Sequence, residues 1–202
     1  MGKNIADTEL FKQLLSLEQS KTGTTPISSV IAQHLQKTSE LLLGEIGTYM
    51  PNYTLHNIDH VVNILDIIND IVPNKVKLNC SELTLLIYAV ALHDIGMLVN
   101  RDDATQLKGT EEYRHLLAEF DKDTPESDIL SELIRRTHVD RSCEYIDKFK
   151  ENLPLYHLDF EIDGIDFRKH LKNIILAHAL PVSNLTDDKY PTNALIGKER
   201  VN

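Results

Sequence analysis

Residues 81–97, SELTLLIYAVALHDIGM, form a long apolar run that ends in two adjacent polar side chains, His93 and Asp94. The run is long enough for a buried helix, and Gly96 is the kind of residue that adopts a left-handed conformation just after a helix end. His93 follows Leu86 by seven residues, so we expect its imidazole to point toward the core. A solvated surface pair is not expected there, and the end of this run is therefore a candidate functional site.

The composition is that of a globular protein. With 202 residues, of which 42% are hydrophobic, the chain can bury a sizeable core in one domain. Its net charge of -10 leaves no broad basic surface, so non-specific nucleic-acid binding is not expected. The net charge does not exclude a local basic pocket for a small phosphate ligand. Two cysteines, no signal peptide and no apolar run of membrane-spanning length predict a cytoplasmic protein without a membrane partner.

Hydrophobic residues recur at helical spacing along nearly the whole chain, and the alternation typical of strands is almost absent. The fold is therefore predicted to be all-α. A polar stretch, residues 100–112, is predicted to be a loop, a turn is expected at Asp163–Gly164, and a break or bend is expected after His138. The expected helices begin near Ser28, Thr54, Ser81, Thr124 and Asp166 and end near Tyr49, Val72, Gly96, Phe149 and Leu180.

Several histidines fall on apolar helix faces; they are His60, His93, His138 and His178. His60, for example, shares a face with Ile67 and Ile71, and His56 lies one turn before it. One inward histidine is usually a hydrogen-bonded core residue. Four or five of them each need a polar partner, and a divalent metal satisfies several at once, with Asp94 as an oxygen ligand. A shared metal site is the simpler explanation of the group.

Four segments of the chain together resemble the HD superfamily of metal-dependent phosphohydrolases, which is named for its adjacent His-Asp pair. They are HNIDHVVNIL, ALHDIGM, IRRTHVDRS and IILAHAL, within about residues 50–185. An adjacent His-Asp pair occurs by chance in many chains, whereas the four segments in this order are specific. The pattern is similar to HD domains of larger bacterial multidomain proteins.

The resemblance implies an all-α bundle of the HD-domain type, with residues 1–50 as a helical preface and residues 51–202 as the HD domain. It implies that one or two divalent metals, Fe, Mn, Ni, Zn or Mg, are bound. The implied ligands are His60, His93, Asp94, His138 and His178. Asp94, also the implied catalytic residue, is able to bridge two metals. His56 is expected to hydrogen-bond to a ligand, with direct ligation or simple packing as alternatives.

The resemblance also implies hydrolysis of a small phosphorylated substrate, a nucleotide or related phosphoester. Arg135, Arg136 and Arg141 flank His138 and are candidates for binding its phosphate, although they also suit a helix surface beside acidic residues. Met97 stands where many family members have a lysine. The alternative is a degenerate HD domain that binds a nucleotide or metal and regulates an attached domain, a partner or a second copy.

The C-terminal end departs from the family pattern. HD domains usually complete the metal site with an aspartate on a further helix, and after His178 the chain contains only Asp187 and Asp188. Both lie in a polar segment between Pro181 and Pro191, so they are expected to be solvated. The HD domain is therefore predicted to be truncated, with its last ligand in a longer polypeptide.

Overall fold

The computed structural model describes residues 4–19, 28–29, 31–33, 35, 49–50, 58–72, 77–148, 151, 160–162, 165–184, 194–196 and 199–201. Its α-helices are α1 (Glu9–Gln19), α2 (Ile58–Ile71), α3 (Cys80–Leu92), α4 (Arg101–Lys108), α5 (Glu111–Glu119), α6 (Glu126–Asp147) and α7 (Arg168–His178). Short 3-10 turns are formed by Ile5–Asp7, Ile95–Met97 and Val182–Asn184.

Two small antiparallel strand pairs accompany the helices. Strand β1 (Glu161–Ile162) pairs with β2 (Ile165–Asp166), and β3 (Ala194–Ile196) pairs with β4 (Glu199–Val201). The turn expected at Asp163–Gly164 lies outside the described residues. Strands of two or three residues do not change the class of the fold, and the prediction of an all-α bundle is confirmed.

Helix α3 is the centre of the bundle. Every residue in it except Leu86 is buried, and helices α1, α2 and α7 pack against it. The helix is capped by Asn79 rather than opened by Ser81, because the Asn79 and Glu82 side chains each accept a hydrogen bond from the other residue's backbone N–H. Helix α1, from the predicted preface, therefore shares the core with the predicted HD domain.

One segment of the described chain, Cys80–Met97, is long and apolar enough to cross a membrane by length and composition alone. The expectation that no run reaches this length is therefore wrong. However, 89% of the segment is buried inside the protein, so packing at the centre of the bundle accounts for its apolar character.

The face of α2 that contains His60 does not point into the core along its whole length. The residues of α2 that are buried are Val61, Val62 and Leu65, at spacings of one and three residues. Ile67 and Ile71, expected to be buried on the face of His60, are 55% and 71% exposed. The expectation is wrong because the buried stripe lies one residue further round the helix, which leaves His60 at the edge of the core.

The polar stretch 100–112, predicted to be a loop, instead contains α4 and the beginning of α5. Asn100 accepts hydrogen bonds from the backbone N–H groups of Asp102 and Asp103 and caps α4, and Thr110 caps α5. Ala104 is buried in α4, and Tyr113 and Leu116 are buried in α5. Caps and a few packed side chains are sufficient for short helices, even where most residues are polar.

Helices α6 and α7 complete the bundle and pack against each other. Helix α6 is continuous through His138, so it does not break there, and it begins one residue later than expected, after Pro125. Helix α7 begins at Arg168 with Phe167 as its N-cap residue, one position after the predicted Asp166, although the Arg168 backbone N–H donates to the Asp166 side chain. The helix expected from Ser28 to Tyr49 and the start at Thr54 lie largely outside the described residues.

Gly96 is required for a close approach between two segments of backbone. Helix α3 ends at Leu92, and Gly96 lies within the 3-10 turn Ile95–Met97, without the left-handed conformation expected from the sequence. A Cβ atom at this position would lie 2.0 Å from the His138 carbonyl oxygen and 2.5 Å from the Ser142 nitrogen of α6. Only glycine lets the turn after α3 contact the backbone of α6 in this way.

Gly96→Ala is expected to lower the free energy of unfolding by about 3 kcal/mol or more, because the backbone of α6 would have to move away from the turn. Urea denaturation followed by circular dichroism measures the loss. Gly109→Ala is the matched control, because a Cβ atom at Gly109 meets no atom closer than 3.2 Å. The control is expected to change the free energy by less than about 1 kcal/mol, and an equal loss in both variants would contradict the close contact.

Candidate metal centre

Four helices bring the predicted metal ligands to one place. His60 lies in the first turn of α2, and His93 and Asp94 directly follow the last residue of α3. His138 lies in α6, and His178 is the last residue of α7. Residues 118 positions apart in the sequence therefore meet because the four helices pack side by side.

The carboxylate of Asp94 is at the centre of this group, and its side chain is only 10% exposed. Its Oδ2 atom lies 2.7 Å from Nε2 of His93 and 3.9 Å from Nε2 of His60. Its Oδ1 atom lies 3.3 Å from Nε2 of His138, and that nitrogen lies 3.4 Å from Nε2 of His178. The two oxygens of one carboxylate thus face histidines on opposite sides.

The described residues contain two possible metal-binding groups, and they share Asp94. One consists of His60, His93 and Asp94, and the other of Asp94, His138 and His178; in each, one ligand atom per residue lies within 4.8 Å of the others. Imidazole nitrogens together with a carboxylate oxygen suit divalent transition metals such as Fe, Mn, Ni or Zn. The group around His178 is the more open one, because that residue is exposed.

Backbone carbonyls orient three of the imidazoles in the same way. The Nδ1 atoms of His93, His138 and His178 donate to the carbonyl oxygens three residues earlier, at Val90, Arg135 and Ile175. A carbonyl oxygen only accepts hydrogen bonds, so Nδ1 is the protonated nitrogen in each neutral ring. The lone pair of each ring is then on Nε2, the atom that faces Asp94 or another histidine, as a metal ligand requires.

These orientations place hydrogen-bond acceptors against each other. With Nδ1 protonated in the neutral rings, Nε2 of His93 faces a carboxylate oxygen at 2.7 Å, and Nε2 of His138 faces Nε2 of His178 at 3.4 Å. Two lone pairs at such distances repel unless a proton or a cation lies between them. The donor set and its orientation therefore fit a bound metal ion.

Two of the histidines have pKa values shifted in opposite directions. Burial lowers the pKa of His93, but the hydrogen bond and the charge of Asp94, with the Val90 carbonyl, outweigh burial, so its pKa is raised. Burial lowers the pKa of His178, and the Ile175 carbonyl only partly opposes this effect. In the metal-free protein the carboxylate of Asp94 therefore favours the protonated form of His93.

The three arginines proposed to bind phosphate are engaged with protein groups. Arg135 and Arg136 both donate to the carboxylate of Glu132, which lowers its pKa to about 2, and Arg136 also donates to Glu119. Arg141 is half-buried and donates to the Leu98 carbonyl, at 2.7 Å. The other terminal nitrogen of Arg141, Nη1, is buried and has no hydrogen-bond partner among the described residues. The role of these arginines in substrate binding stays a prediction.

His56, Asp187 and Asp188 lie outside the described residues, so their predicted roles stay predictions. The sequence did not point to Ser142, whose hydroxyl contacts the backbone on both sides of Asp94. Its only signal is its position four residues after His138, one helical turn away on α6. The orienting carbonyls left no signal, because they are backbone groups that every residue has.

Comparison with known families agrees with this geometry. The profile of the HD-CE family matches residues 50–202, which is most of the chain, and the chain belongs to this family. Its HD-type character, expected from the His93-Asp94 motif, is thereby confirmed. Comparisons with curated proteins and with solved structures gave no match.

NMR titration of the metal-free protein is expected to show His93 with a pKa above 6.5 and His178 with a pKa below it. In Asp94→Asn, the pKa of His93 is expected to fall below 6.5, because burial is then no longer outweighed by a carboxylate. Imidazole carbon and nitrogen shifts report each ring separately. The resonances of the exposed His115 in α5, outside the cluster, serve as an internal reference. An unshifted His93 would contradict its pairing with Asp94.

Proposed function

We propose that this protein is a metal-dependent phosphohydrolase that acts on a nucleotide or a related phosphoester. The observation that carries the proposal is the shared carboxylate of Asp94, with two histidines on each side in the two possible metal-binding groups. Membership of the HD-CE family supports the same chemistry. A divalent metal bound there would lower the pKa of a bound water molecule and polarise a phosphoryl oxygen.

The roles of the residues follow from their positions. His60, His93, His138 and His178 would hold the metal or metals through Nε2, and Asp94 would contribute an oxygen to each group. The Val90, Arg135 and Ile175 carbonyls keep three of these rings turned toward Asp94 before any metal binds. Substrate would approach on the side of His178, the exposed member of the cluster. This arrangement favours Fe, Mn, Ni or Zn over Mg, which prefers oxygen ligands.

The second candidate is a regulatory HD domain that binds a metal or nucleotide and acts on an attached domain, a partner or a second copy. It is favoured by the pairing of cations that the described residues place near the site. Arg135 and Arg136 already pair with Glu132, and Met97, where a lysine is common in the family, is buried in the core. Metal binding without turnover of any nucleotide or cyclic dinucleotide would support this candidate over the enzyme.

The protein purified without chelator is expected to contain a divalent transition metal, because imidazole-rich sites prefer such ions. Elemental analysis measures the content before and after reconstitution with Mn or Fe. The variant His178→Ala is expected to reduce the metal content. The control His115→Ala, which removes an exposed histidine outside the cluster, is expected to leave the metal content unchanged. Less than about a tenth of an equivalent in the reconstituted wild type would contradict the site.

Asp94→Ala is expected to abolish metal-dependent hydrolysis while helical content stays near the wild-type value. The carboxylate makes no capping hydrogen bond to the 3-10 turn that follows it, so the variant does not remove a cap from this turn. A turnover screen over nucleotides and circular dichroism are measured on the same samples. Asp140→Ala, which removes an exposed carboxylate two residues after His138, is the matched control and should retain activity. Unchanged turnover in Asp94→Ala would contradict the assignment of this residue.

A further inference from the structure

The hydroxyl of Ser142 joins the two ends of the segment that contains Asp94. It donates to the carbonyl oxygen of His93 at 2.8 Å and accepts from the backbone N–H of Gly96 at 2.9 Å. Ser142 is fully buried, with 0% of its surface exposed. One buried hydroxyl therefore satisfies a backbone acceptor before Asp94 and a backbone donor after it.

The same residue connects this segment to the helix that contains His138. Ser142 lies four residues after His138, so the two share a face of α6. Gly96 packs directly against the His138 carbonyl, and the neighbouring Arg141 donates to the Leu98 carbonyl just beyond the turn. Helix α6 therefore contacts the backbone after α3 at several adjacent points. Among these contacts, the hydroxyl of Ser142 reaches the carbonyl of His93, the residue directly before Asp94.

We propose that Ser142 is a positioning residue that sets the location of the His93-Asp94 pair relative to His138. This inference rests on the proposed function, because it concerns the two metal-binding groups that share Asp94. The distance that it governs is the 3.3 Å between Oδ1 of Asp94 and Nε2 of His138. Without the hydroxyl, the backbone groups of His93 and Gly96 lose their common partner, and the Asp94 side chain is no longer held between the two groups.

Replacing Ser142 by alanine is the direct test, with cobalt(II) as the probe, because its visible absorption reports ligand geometry. Ser142→Ala is expected to weaken cobalt binding by about 10- to 100-fold and to change the absorption bands. Ser142→Cys, which keeps a weaker and larger hydrogen-bonding group at this position, is expected to show a smaller change of the same kind. It also provides a folded variant if the alanine variant does not fold.

Ser131→Ala is the matched control. Ser131 is a buried serine on the same helix, and its hydroxyl also reaches the backbone of another segment, at the Tyr49 carbonyl. Its loss is expected to lower the melting temperature by an amount similar to that of Ser142→Ala, while cobalt affinity and absorption stay near wild type. Wild-type cobalt spectra in both Ser142 variants, or equal weakening in Ser131→Ala, would overturn the proposal.

A measurement on the metal-free protein separates this proposal from the proposed function. Ser142→Ala is expected to shift the imidazole nitrogen resonances of His93 and to accelerate hydrogen exchange at the Gly96 amide, and Ser131→Ala is not. These changes are expected even if the wild type binds no cobalt, an outcome that would contradict the proposed function alone. Unchanged His93 resonances and Gly96 exchange in Ser142→Ala would overturn the role of Ser142, whatever metal the wild type binds.

Discussion

The carboxylate of Asp94 imposes the main constraint on this protein. A buried carboxylate is costly unless it is paired, and this one is buried at the end of the central helix α3 with histidines on both sides. The neutral histidines present lone pairs toward it because backbone carbonyls engage their other nitrogens. A proton or a cation offsets these facing lone pairs, so a bound metal would act on the same few atoms that determine the stability of this centre.

The close contact between Gly96 and α6 makes this centre possible. The turn after α3 touches the backbone of α6 at His138 and Ser142, at a distance that only glycine allows. This contact brings His138 within 3.3 Å of Asp94, and the packing of α7 on α3 and α6 adds His178. Two possible metal-binding groups with a common carboxylate therefore follow from how closely two elements of backbone approach each other.

The arginines near the centre are paired with a carboxylate, which bears on the proposed binding of a phosphate. Arg135 and Arg136 project from the same helix as His138, yet both donate to Glu132. An arginine held by a carboxylate in two hydrogen bonds is a poor partner for a phosphate unless that contact is exchanged. The balance between an enzyme and a binding domain therefore depends on side-chain pairing as well as on the metal ligands.

The sequence by itself determined the helical class, the family and the group of residues that meet, because hydrophobic spacing and the His93-Asp94 motif are local patterns. Two predictions from local patterns were wrong. The stretch 100–112 forms capped helices rather than a loop, and Ile67, on the face of His60, is exposed rather than buried. Only the tertiary structure shows why residue 96 is a glycine, which carbonyls orient the imidazoles and what Ser142 contacts. These depend on the distance between α6 and the turn after α3, and a linear pattern of side chains does not encode which backbone groups come into contact.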